Sequence, residues 1–231
     1  IAMKKHLATG STRQGTLFMN PGGPGGSGVD SVGVMATTTF AGVQSAYDII
    51  GFDPRGVGAS TAITCTSDTE VKAMAGAAPV NAAAGATTFE QRADAISTQF
   101  KQLEASCAAN TKPAGLLDHV DTVSVARDLD VLRALSGDQK LNYLGFSYGT
   151  YLGAHYAELF PANTGRMFLD GAQDPSLSFT ELIKGQARGF ERALRNYVAW
   201  CQSGQSCPLS GDVDAGVQQI GDVFTSANQS P

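Results

Sequence analysis

Leu141-Asn142-Tyr143-Leu144-Gly145-Phe146-Ser147-Tyr148-Gly149-Thr150-Tyr151-Leu152-Gly153-Ala154 reads as strand, tight turn and helix wrapped around one serine. Gly145 and Gly149 stand two before and two after Ser147, where a strained backbone leaves no room for larger side chains against the adjoining strand and helix. A bare G-x-S-x-G arises often by chance. One framed by an apolar strand and a helix opening is a far more specific sign of a nucleophile elbow. The competing reading, a glycine-rich turn that happens to hold a serine, leaves the flanking pattern unexplained.

Where an elbow serine works in a triad, an acid and then a histidine follow it along the chain. After Ser147 the sequence holds a single histidine, His155. It lies on the same helix, about 12 Å along the axis at ~1.5 Å per residue, too far to serve as the base. His6 and His119 precede the elbow and do not fit the order. An unassisted serine is a poor nucleophile at neutral pH. The sequence therefore reads as incomplete, as half of something larger, or as catalytically dead.

The length of 231 residues suits one full-sized domain plus an appendage, and an apolar fraction of 42% suits an ordinary packed core. The net charge of −5 comes from scattered acids and bases with no basic run, so neither a nucleic-acid footprint nor an anionic-membrane patch is present. No stretch reaches the roughly 18 apolar residues of a membrane helix. No membrane or nucleic-acid partner is expected. Met3-Lys4-Lys5-His6 has the charge of a signal-peptide start, but Leu7 to Thr12 supplies no apolar continuation. Ile1-Ala2-Met3 looks like the inside of a strand, and the true N-terminus is expected upstream.

Cys65, Cys107, Cys201 and Cys207 allow three disulfide pairings. They match no zinc spacing, and no metal or other cofactor is expected. The favoured pairing is Cys65–Cys107, which brackets one long insertion, with Cys201–Cys207, which closes a short polar loop. Two bridges imply an oxidising compartment, whereas four buried free thiols would suit a cytosolic protein.

Working outward from the elbow, Gly15 to Asn20 reads as a short strand, Val29 to Val43 as a helix, and Tyr47 to Phe52 as a buried parallel strand. Ala73 to Thr88, rich in Ala and Gly, reads as a surface excursion. Helices are expected from about Phe89 to Ala108, with Ala93, Ile96, Phe100, Leu103 and Cys107 on one face, and from Asp121 to Leu135, with Val125, Leu129, Leu132 and Leu135 together. Gly165 to Asp170 is the next strand. From Phe179 the pattern is helical, with Leu182, Ile183, Phe190, Leu194, Tyr197 and Val198 spaced for one apolar face. The domain boundary is placed near Pro175, dividing 1–175 from 176–231.

The loop Gly23-Pro24-Gly25-Gly26-Ser27-Gly28 is literally G-x-G-x-x-G after a strand and before a helix, with Asp53 ending the next strand where a ribose-binding acid could sit. A dinucleotide-binding protein is thus an alternative. Pro21 and Pro24 argue against it, because they remove N–H groups from a loop that would offer them to a pyrophosphate. Beside an elbow the same loop can serve differently. An oxyanion hole takes one N–H from the residue after the nucleophile, Tyr148, and one from a loop after an early strand, for which Gly23 is chosen. Arg55 reads better as a tie between loops than as a substrate contact. Asp170 and Asp174 follow a strand end, and without a partner histidine they read as a turn residue and a helix-approach residue.

Asn20-Pro21-Gly22-Gly23-Pro24-Gly25-Gly26-Ser27-Gly28, Gly51-Phe52-Asp53-Pro54-Arg55-Gly56-Val57-Gly58-Ala59-Ser60 and Leu141 to Gly153 together resemble the secreted tripeptidyl aminopeptidases of actinobacteria, serine hydrolases akin to proline iminopeptidases. The resemblance covers most of Gly15 to Pro208, including Cys201 and Cys207-Pro208. It implies an α/β-hydrolase core interrupted after Asp170 by a helical lid, of which 176–231 is part, with the catalytic Asp and His beyond the lid or on a second chain. By position Ser147 is then the nucleophile, Gly23 and Tyr148 form the oxyanion hole, and Glu181 or Glu191 could hold the α-amine of a peptide substrate. The expected activity is release of short peptides from N-termini through an acyl-enzyme, outside the cell or at its surface. The alternatives are an esterase or other acyl hydrolase of the same fold, and a non-catalytic module that keeps the fold.

Overall fold

β2 (Gly15–Asn20) is buried along its whole length and lies in the middle of the sheet, with Leu17, Phe18 and Met19 as its apolar centre. β3 (Tyr47–Phe52) and β4 (Leu141–Phe146) flank it in parallel, with Leu17 facing Ile49 on one side and Asn142 on the other. β1 (Met3–His6) closes one edge antiparallel to β3, and β5 (Thr164–Asp170) pairs in parallel with β4. The order is β1-β3-β2-β4-β5. The structure, a computed structural model, describes residues 1–66 and 88–229. Residues 73–87 of the expected surface excursion lie outside the described residues.

The described helices are α1 (Gly28–Thr37), α2 (Phe89–Asn110), α3 (Thr122–Leu135), α4 (Tyr148–Leu159), α5 (Phe179–Gln202) and α6 (Val213–Gln229). Alternate strand residues face opposite sides, and the core divides accordingly. Met19 and Ile49 pack with Val32 and Ala36 of α1 and with Phe40. Their neighbours Phe18 and Ile50 pack with Leu129 of α3 and with Leu152 and Tyr156 of α4. Helices on both faces of a mostly parallel sheet make this an α/β fold.

Three departures from expectation have local causes. α1 stops at Thr37 rather than Val43, because the Thr37 and Thr38 hydroxyls donate to the Val34 carbonyl and Thr38 caps the helix, as β-branched hydroxyl residues tend to do near helix ends. Leu135 is exposed rather than sharing the buried face of Val125, Leu129 and Leu132, since α3 ends there. α2 forms as expected but has no buried residue.

What holds α2 is its C-terminal end. Cys107 is bonded to Cys65, the Ser106 hydroxyl and the Asn110 amide both donate to the Cys65 carbonyl, and Thr111 exchanges hydrogen bonds with Thr64. Cys201 is bonded to Cys207, so both favoured bridges are present and none of the four cysteines is free. With sequence separations of 42 and 6, loop-closure entropy assigns about 4 kcal/mol to the first bridge and about 2 to the second. Reduction should therefore move the urea midpoint of the chain sharply downward. Thiol counting under denaturing conditions without reductant should find none, and four titratable thiols would contradict the pairing.

The chain folds as two units, Ile1–Gln173 and Asp174–Pro231. In the second, α5 begins with a reciprocal cap in which Ser178 and Glu181 bond each other's backbone N–H groups. α5 and α6 approach closely where Gly216 meets Val198. Of the apolar face expected on α5 only Val198 is buried, while Ile183, Phe190 and Tyr197 stay exposed.

Candidate active site

Ser147 joins β4 to α4 with φ 52° and ψ −118°, and it is the only non-glycine residue with positive φ among the described residues. Such a conformation costs on the order of 1–3 kcal/mol and persists only where the surroundings over-determine it. They do so here. The Ser147 N–H donates to the Asp170 carbonyl at 2.9 Å, tying the turn to the end of β5. The Ser147 carbonyl accepts from the Thr150 N–H at 2.9 Å and its hydroxyl at 2.7 Å, and the Thr150 hydroxyl in turn accepts from the Gln173 N–H.

The glycines are required by close approach. A Cβ on Gly145 would lie 2.4 Å from the Gly149 carbonyl oxygen, and one on Gly149 would lie 2.8 Å from that of Asn20. The Tyr143 hydroxyl donates to the Gly149 carbonyl at 2.9 Å, so the helix start cannot drift away. The result is an exposed Ser147 whose hydroxyl is not used to cap the helix it precedes.

The glycine loop lies directly over this serine, since a Cβ on Gly22 would be 3.1 Å from the Ser147 Cβ. Gly22, Gly23 and Gly25 all have positive φ, and the peptide between Gly23 and Pro24 is cis. The Gly22 N–H is taken by the Asn20 side chain and the Gly26 N–H by the Gly22 carbonyl. The backbone N–H groups of Gly23 and Tyr148 have no acceptor among the described residues. One of these groups belongs to the residue after Ser147, and the other to the residue after Gly22, where the loop approaches the Ser147 Cβ. The Tyr148 side chain is anchored through its hydroxyl, 2.7 Å from that of Thr122. Burial pushes the phenol's pKa up, and it stays a neutral hydrogen-bonding group.

The other residues singled out by sequence have different positions. His155 has Nδ1 2.9 Å from the Tyr151 carbonyl and its ring against that of Tyr151, while His6 lies on β1 and His119 ends a short helical turn. Arg55 grips Asp128 through two nitrogens and donates to the His119 carbonyl, so it does tie loops. Asp174 closes a turn by accepting from the N–H and hydroxyl of Ser176. Glu181 accepts from the Ser178 N–H and hydroxyl, and Glu191 is paired with Arg195 at 2.7 Å. Both glutamates thus lie exposed on α5 with local partners of their own. The Ser178-x-x-Glu181 spacing is the capping-box pattern, a signal from which the role of Glu181 could have been read. Asp53, the ribose-binding candidate of the dinucleotide reading, is 1% exposed and already bonded by three donors, leaving no free oxygen for a ligand.

The family described as alpha/beta hydrolase fold matches residues 15–220. The chain is 40% identical over 213 residues to serine protease Hip1 of Mycobacterium tuberculosis, covering 92% of this chain and 39% of that protein. It is 38% identical over 217 residues to the tripeptidyl aminopeptidase of Streptomyces lividans, with the same coverage. With carboxylesterase B of Mycobacterium tuberculosis it shares 42% over 219 residues, 92% of this chain and 40% of that one. The chain thus spans about two fifths of the length of these relatives. The elbow, the parallel sheet beneath it and the extent of the match together make this chain a member of the α/β-hydrolase fold family.

Proposed function

We propose that the chain is the N-terminal-side part of a serine exopeptidase that releases short peptides from N-termini. The observation that carries this reading is Ser147, held at positive φ at a strand-to-helix turn, with the Gly23 and Tyr148 N–H groups lacking an acceptor among the described residues. In the first step its Oγ bonds to the scissile carbonyl carbon while its proton passes to a histidine. The N–H groups of Gly23 and Tyr148 hold the resulting oxyanion. Collapse breaks the C–N bond, the leaving amine takes the proton, and water then hydrolyses the acyl-enzyme. None of His6, His119 or His155 is bonded to Ser147, so the histidine and its acid are assigned to residues beyond 231 or to a second chain. The open side of β5, where Phe168 and Leu169 project exposed to opposite faces, supports the addition of further sheet there.

Residues 1–175 are then the core and 176–231 the beginning of a helical lid. Two disulfides favour a secreted or cell-surface location, and no described helix is long and apolar enough to cross a membrane. The peptidase relatives favour a peptide substrate, whereas the carboxylesterase relative favours an esterase on the same chemistry. The two readings separate when the full-length protein is offered tripeptidyl anilides with free and with blocked amines, and simple esters. A peptidase that recognises the amine should prefer the free form by about 10- to 100-fold, the factor one charge-assisted contact supplies. Turnover of esters alone, blind to the state of the amine, would establish the esterase.

A further inference from the structure

The loop from Pro21 to Gly28 has the composition of a flexible segment, yet an oxyanion hole works only if its donors are held in place before charge develops. At its start the loop is anchored by the Asn20 side chain, which accepts the Gly22 N–H. At its end the anchor is Asp53. One carboxylate oxygen accepts from the Ser27 hydroxyl at 2.7 Å and the Val29 N–H at 3.0 Å, and the other accepts from the Ala59 N–H at 2.8 Å. Its carbonyl accepts from the Ser60 hydroxyl. No lysine or arginine pairs with this carboxylate among the described residues.

A buried charge without a cation is an expensive way to make a loop contact. The arrangement is explained by what the contact must do. All three partners are donors, and only a carboxylate accepts on every side. Gly58, at φ 52°, lies so close that a Cβ there would be 2.3 Å from the Asp53 Oδ2. Two glycine-bearing loops are thus clamped on one rigid acceptor at the end of β3, beside the N-terminus of α1, whose dipole favours the negative charge. Ser27 relays the clamp into that helix by also accepting the Asp30 N–H.

We propose that Asp53 is a positioning residue for the oxyanion-binding loop, holding the end of Pro21–Gly28 in the register that aims the Gly23 N–H at the Ser147 site. The inference rests on the serine-hydrolase reading above and adds a residue that touches no substrate. In Asp53→Asn one acceptor oxygen becomes an NH₂ that must face a donor, which releases either Ala59 or the Ser27–Val29 pair.

The test uses the full-length enzyme. The fraction of molecules able to label with a fluorophosphonate is counted first, and kcat and KM for one substrate are then expressed per labelled site. Asp53→Asn should lower kcat per site by about 10- to 100-fold with KM within about threefold, and should weaken a boronic acid that mimics the tetrahedral adduct by a similar factor. Ser27→Ala, which leaves the carboxylate two N–H donors, should lose about three- to tenfold in kcat. Ser27→Thr, which keeps the hydroxyl, should restore it. If Asp53→Asn does not accumulate as folded protein, the Ser27 pair reads the same quantity. A per-site kcat equal to that of the unaltered enzyme, with only the count of labelled molecules reduced, shows a merely structural role and overturns this inference alone. Absence of Ser147 labelling in the unaltered enzyme overturns the hydrolase reading together with it.

Discussion

The isolated 231-residue chain is expected to label with a fluorophosphonate at least about 10⁴-fold more slowly than the full-length protein. The elbow is built, but none of its three histidines serves the serine. His155 is turned into its own helix, bonded to the Tyr151 carbonyl and lying on the Tyr151 ring. Without a base the Ser147 proton has nowhere to go at neutral pH. Supplying the residues that follow position 231, in the same chain or as a separate one, should restore labelling. In the full-length protein Ser147→Ala should abolish it and His155→Ala should leave it nearly unchanged. Fast labelling of the isolated chain that disappears with His155→Ala would show that the site is complete as it stands and that His155 reaches the serine after all.

A second large effect is expected from one methyl group. Gly145→Ala sets a Cβ 2.4 Å from the Gly149 carbonyl oxygen, 2.6 Å from its carbon and 2.8 Å from the Tyr143 ring. None of these can yield cheaply, because the carbonyl belongs to the first turn of α4 and is itself held by the Tyr143 hydroxyl. The destabilisation should sit at the upper end of the range for overpacking, about 3 kcal/mol, which corresponds to a Tm lower by roughly 6–12 °C. Labelling of the full-length protein should fall as well, since relief of the clash moves Ser147. Gly185→Ala is the matched control: nothing lies within 4 Å of the added carbon, and a helical glycine replaced by alanine gains up to about 1 kcal/mol. A Gly145→Ala protein with unchanged melting and labelling would refute the packing account of the elbow.

The strands and the elbow were legible because their signals are local. Tyr47 to Phe52 is an apolar run bounded by turns, and Ser147 announces itself by glycines at fixed offsets. The oxyanion-hole role proposed for the Gly23 N–H rests only on a loop following an early strand, which is why a sequence can suggest it. What was not legible depends on partners far along the chain. Nothing in Asp53-Pro54-Arg55-Gly56 says that the aspartate meets Ser27 and Val29 across a gap of more than twenty residues, so the sequence offered only a ribose-binding role for it. The capping of α5 by Glu181 was legible too, in the Ser178-x-x-Glu181 spacing. The exposed stripe of Ile183, Phe190 and Tyr197 shows the opposite case, where helical spacing correctly implied an apolar face that the second unit alone does not bury.

The strand order also carries a history of assembly. During synthesis β2 and β3 leave the ribosome close together and are neighbours, and β4 and β5 are added in turn on the far side of β2. Each new parallel strand finds its partner already made, and the sheet grows in one direction, outward to β5. The slow event is the joining of β4 to β2, where Leu17 waits for Asn142 about 125 residues later. Until then the three strands β1, β3 and β2 must survive with one side of β2 unpaired, and the bond between Cys65 and Cys107 closes within that interval of chain. That covalent link shortens the stretch of chain across which the central strand must find the serine-bearing one.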